Sequence, residues 1–109
     1  MANLVILESA QRELEEIAQI HRNLVGPHSA RTITDLILDT LSHVEMFPLS
    51  GHIPRDKELR NGGYRYVIAG KYICMYRLIG EEVYVYHIAH GARNYPTLFK
   101  RLLKEDCLD

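Results

Sequence analysis

Between residues 64 and 89 the chain changes period, and that change constrains its fold more than any other feature. Up to residue 46 the apolar residues recur at helical spacing. From Tyr64 they alternate, in three β-branched and aromatic runs: 64–69, 72–79 and 82–89. Only Gly70-Lys71 and Gly80-Glu81 separate these runs. Two-residue glycine turns reverse a strand onto its neighbour, so this half is a meander of antiparallel hairpins. All seven tyrosines lie between positions 64 and 95, as β-propensity favours.

The first half supplies what covers the sheet. Residues 3–7 read as a short apolar strand, and Ser9 suits the N-cap of a helix over 9–24. Leu14, Ile17, Ala18, His21 and Leu24 stripe that helix. Gly26-Pro27 ends it and starts a second helix over about 28–46. There Ile33, Ile37, Leu41 and Val44 form one stripe, widened by Leu36 and Leu38. Residues 47–54 are a loop punctuated by Pro48, Gly51 and Pro54. The charged run Arg55–Arg60 reads as exposed, Asn61-Gly62-Gly63 as a turn, and 95–104 as a short terminal helix. The expected fold is a two-layer α+β domain over 1–109, in the order β-α-α-β-β-β, with the helical hairpin packed on a mainly antiparallel sheet.

The 109 residues fit one modest core. No apolar run approaches the roughly 18–20 residues of a membrane span, and the start lacks a basic signal-peptide region, so a cytoplasmic protein is expected. Cys74 and Cys107 make no disulfide framework; Cys74 reads as a small buried hydrophobe and Cys107 as exposed. No Cys/His spacing resembles a zinc site. The net charge of −1 is unevenly distributed: residues 1–52 hold 3 basic and 7 acidic side chains, and residues 53–104 hold 10 basic and 4 acidic. A basic second half fits an anionic partner, nucleic acid or acidic polypeptide.

The candidate functional residues gather at the end of the last strand. His90-Gly91-Ala92-Arg93-Asn94 follows it directly, and such a loop is where a rigid scaffold presents groups. Arg93 leads the candidates. His90 reads as a general acid or base, or as a structural histidine. His87 alternates with Val83 and Val85 and reads as packed on their sheet face. His21 sits on its helix's apolar stripe; His28, His43 and His52 show no metal-ligand pairing. Arg65 and Arg77 either flank an anion-binding surface or pair with Glu58, Glu81 or Glu82. Arg55, Lys57, Arg60 and Lys71 read as a solvated basic face.

Several segments in this order resemble the RelE/ParE superfamily of bacterial toxins from type II toxin–antitoxin systems. They are Leu7 to Ile17, Leu59-Arg60, Gly63-Tyr64-Arg65, Gly70 to Arg77 and His90 to Asn94. The resemblance implies a cytoplasmic toxin, neutralised by an antitoxin protein, with no metal or cofactor and no small-molecule substrate. RelE-like members cut messenger RNA on the ribosome; ParE-like members bind and inhibit DNA gyrase. RelE-like enzymes carry arginine where this chain has Ile73, and an isoleucine cannot stabilise charge developing on a phosphate. The C-terminal tyrosine of some members falls on Phe99, which has no hydroxyl. Both departures place the chain closer to the ParE-like branch, with Arg93, His90, Arg65 and Arg77 as target-binding residues. The alternatives are a ribonuclease using Arg93, Arg65, His90 and Lys71, with Glu58 or Lys57 near its entrance, and a degenerate member that only binds its antitoxin.

Overall fold

The computed structural model describes residues 2–91 and 94–107, except for the side chain of Cys107. Its elements are β1 (Asn3–Ile6), α1 (Glu8–Leu24), α2 (Pro27–Met46), α3 (Lys57–Asn61), β2 (Tyr64–Ala69), β3 (Tyr72–Ile79), β4 (Glu82–His90) and α4 (Tyr95–Cys107). The sheet order is β1-β4-β3-β2. The hairpin pairs β2–β3 and β3–β4 are antiparallel, while β1 enters beside β4 in parallel, Asn3 opposite Glu82. The α+β fold expected from the sequence is the one found.

Each sheet face has its own core. Against the α1–α2 hairpin lie Val67, Ala69, Cys74, Tyr76, Val83, Val85 and Ile88, meeting Ala10, Ile17, Ile37, Leu41 and Val44. The other face packs Ile73 and Met75 against Leu59 of α3 and Phe99 of α4. Burial pushes the Cys74 thiol up to about 12, which keeps it an inert core group.

Several local readings need correction. Ser9 does not cap α1. Leu7 holds the N-cap position while its N–H donates to the Val85 carbonyl at 3.1 Å, so strand runs into helix without a loop. Ser9 instead donates from Oγ to the Tyr86 carbonyl at 2.9 Å. Leu24, Leu36 and Leu38 do not join the core; Leu24 is 79% exposed at the hairpin tip. The charged run before Gly62 contains a helix: Asp56 accepts the Leu59 N–H at 3.1 Å, and Leu59 is buried. The terminal helix runs three residues past the expected end. Cys107's side chain lies outside the described residues.

His87 is displaced from its expected face by a β-bulge. Tyr76 pairs with Val85, but the next pair inward is Met75 with His87, so Tyr86 is the extra residue. Val85 and Ile88 then share the hairpin face, while the His87 ring stacks on Phe99 of α4 at 6.5 Å. Strict alternation cannot reveal such an insertion.

Candidate functional site

Lys71 and His90 come together at one end of the sheet. The Gly91 N–H donates to the Lys71 carbonyl, closing the β3–β4 ladder just before the loop. A Cβ on Gly91 would lie 3.1 Å from both Ile73 Cγ1 and that carbonyl, so close approach explains the glycine. Ile73 is buried beneath it. His90 and Lys71 are exposed. Ala92 and Arg93 lie outside the described residues.

Behind His90 is a polar relay that sequence reading did not find. His21 of α1 contacts Ser29 Oγ of α2 through Nδ1 at 3.1 Å, and Tyr72 Oη of β3 through Nε2 at 3.0 Å. A hydroxyl both donates and accepts, so either tautomer of His21 is satisfied. The Tyr72 ring meets His90 edge-on, centroids 5.6 Å apart. The relay thus ties the helical hairpin to the strand end that carries His90. Beside it runs a groove of about 410 Å³, lined by His21, His28, Ser29, Thr32, Ile33 and Leu36. Helical spacing put His21 at the core edge, where it lies half-buried; its partners come from 8 and 51 residues away.

Arg65 and Arg77 sit elsewhere. Arg65 donates from Nη1 to the carbonyls of Leu49 and Gly51, at 3.2 and 3.1 Å, tying the 47–54 loop to β2. Arg77 donates from Nε and Nη2 to Tyr86 Oη, at 3.1 and 2.6 Å, and from Nη1 to the Gly62 carbonyl at 3.3 Å. Its guanidinium also lies 4.8 Å from the Tyr64 ring centre and 5.1 Å from that of Tyr86. Neither arginine is in an ion pair with Glu58, Glu81 or Glu82 among the described residues; carbonyls and tyrosines take that place. Removing a cation held by such hydrogen bonds and two rings should cost about 1–3 kcal/mol. Arg77→Ala is therefore expected to lower the denaturation midpoint measurably, and an unchanged midpoint in urea would refute this clamp.

The aromatic face beneath α4 is also occupied. Tyr66 packs on Tyr95 at 5.1 Å and Tyr95 on Phe99 at 5.9 Å between ring centres. Burial, with Tyr66 beside it, pushes the Tyr95 phenol up to about 12. Lys100 pairs with Asp56 at 2.8 Å, joining α4 to the cap of α3. Among the described residues, no three His, Cys, Asp or Glu side chains converge as a metal site. No helix among them is long and apolar enough to cross a membrane.

Known proteins resemble this arrangement. The chromosomal ParDE toxin–antitoxin system from P. aeruginosa contains a chain that superposes with a TM-score of 0.71 at 18% identity, covering 84% of this chain and 98% of that one. A chain of the toxin–antitoxin complex RelBE2 from Mycobacterium tuberculosis gives 0.54 at 20% identity, covering 82% and 96%. At such identities the likeness is one of fold. A sequence comparison with curated proteins returned no match. The family described as the ParE toxin of the type II toxin–antitoxin system parDE matches residues 4–95. That match runs from β1 through the whole sheet to the first residue of α4, and the chain belongs to the ParE toxin family.

Proposed function

We propose that this toxin acts in the cytoplasm by binding a protein target, DNA gyrase, within a plasmid-stabilising toxin–antitoxin module. The observation that carries this reading is the burial of Ile73 beneath Gly91. At the position where a ribonuclease of this fold would place a phosphate-holding arginine, this chain has a core residue. Arg65 and Arg77 hold loops and tyrosines, as described. The strand end with His90, and Arg93 just after it in sequence, is the target-binding surface, with Lys71 adding charge beside it.

A cognate antitoxin keeps the toxin silent. Its surface is the helical hairpin, where Ile20, Leu24, Val25, Leu36 and Leu38 are exposed, or the outer edge of β1. Such edges accept an added strand and such stripes accept a helix.

A RelE-like ribonuclease is the second reading, favoured by the meeting of Lys71 and His90 at one sheet end. Supercoiling by purified gyrase separates the two. Inhibition is expected, with at least about a tenfold loss of potency in Arg93→Ala, equivalent to roughly 1.4 kcal/mol of binding. Full supercoiling at saturating toxin, together with position-specific cleavage of translated messages, would replace the first reading by the second. Harmless expression at high level would show a chain that only binds its antitoxin.

A further inference from the structure

Among the described residues, His87 is the only buried His, Lys, Arg, Asp or Glu, and both its ring nitrogens face carboxylates. Nδ1 lies 2.9 Å from Glu13 Oε2 of α1, and Nε2 lies 2.8 Å from Asp106 Oδ2 of α4. Ionised carboxylates accept and do not donate. A neutral imidazole has one N–H, so one contact would set a lone pair against an anion. Only the doubly protonated ring satisfies both.

Glu13 is held independently, because its Oε1 also accepts the Ile88 N–H at 2.9 Å. Asp106 is 43% exposed and lies in the last turn of α4 with Glu105. Carboxylates there oppose the helix dipole; Lys104 is the basic residue in that turn, and a cationic His87 adds a second favourable charge from the sheet. We propose that His87 is a charge-dependent latch, holding the C-terminal turns of α4 against the sheet only while its imidazole carries both protons.

The charged groups facing His87 come from both helices that pack on it: Glu13 from α1 and Asp106 from α4. The opposing residue of β3 is the uncharged Met75. On α4, Phe99 supplies an apolar ring, Lys100 is engaged by Asp56, and Glu105 is 3.9 Å from Arg101. Burial alone would push the His87 pKa down; Glu13 and then Asp106 outweigh it and raise it. Of the two carboxylates, Asp106 leaves when α4 undocks. Docking therefore favours the protonated ring. Its contribution is complete below the undocked pKa, and is lost as pH rises through the docked pKa. Release of these turns withdraws Leu102 and Leu103 from the core around Phe99, Ile73 and Met75.

Amide hydrogen exchange on the full-length chain between pH 6 and 9, corrected for intrinsic rates, tests the latch. Opening of residues 102–107 should increase by up to about tenfold per pH unit, while β3 amides hold steady. Asp106→Asn keeps the side-chain shape on a partly exposed site. It should raise opening at neutral pH and flatten or reverse the pH slope, because burial under Phe99 then acts alone. His87→Gln should remove the slope. PH-independent opening in the parent protein, or an undiminished slope in Asp106→Asn, would overturn the latch.

Discussion

Phe99→Ala should destabilise the protein by about 3–5 kcal/mol, the range for deleting a buried aromatic side chain. Phe99 is fully buried, and its ring is the point at which α4 meets Ile73, Met75 and Leu59. The cavity would open between helix and sheet, and the ring contacts with Tyr95 and His87 would be lost with it. Small domains have only about 5–15 kcal/mol in total. The melting temperature should therefore fall by more than about 10 °C, at roughly 4–8 °C per kcal/mol. A shift smaller than about 4 °C would mean that α4 contributes little to the fold.

The second large effect is expected at Tyr76. This side chain is fully buried, yet its hydroxyl organises the 47–54 loop. Oη accepts the Gly51 N–H at 2.9 Å and donates to the Pro48 carbonyl at 2.8 Å. Burial pushes the phenol up, so it stays protonated and able to donate. Tyr76→Phe leaves a donor and an acceptor without their partner, a cost of about 1–3 kcal/mol. Gly51→Ala should match or exceed it, because a Cβ there would lie 2.7 Å from Tyr76 Cε1. Denaturant midpoints test both. If Tyr76→Phe is neutral while Gly51→Ala is not, the hydroxyl fills space and does not order the loop.

The meander was the most readable part of the chain, because alternation and two-residue glycine turns are local signals. β2 and β3 begin and end where the sequence places them. The helical hairpin was readable for the same reason, although Leu24, Leu36 and Leu38 show that periodicity overstates the width of a buried stripe. α3 was hidden by charge: the five ionisable residues Arg55, Asp56, Lys57, Glu58 and Arg60 around Leu59 look solvated until Asp56 is seen as a cap. The site was less legible. Gly91 stands out in sequence, but its reason is contact with Ile73, eighteen positions away. The His21 relay and the His87 latch depend on partners brought together by the fold, and the bulge at Tyr86 leaves no mark in the hydrophobic pattern. Arg65 and Arg77 look like surface charge in sequence because a carbonyl partner has no sequence signature.

The position of β1 also bears on when the protein becomes competent during synthesis. The first strand waits for the last: Asn3 to Ile6 pair with Glu82 to Val85, near the other end of the chain. Closing so distant a contact is slow relative to local helix and hairpin formation. Until β4 has been made, the nascent chain has neither a neighbour for its first strand nor the surface that bears His90. In that interval the apolar stripe of the α1–α2 hairpin lacks the strands that bury it.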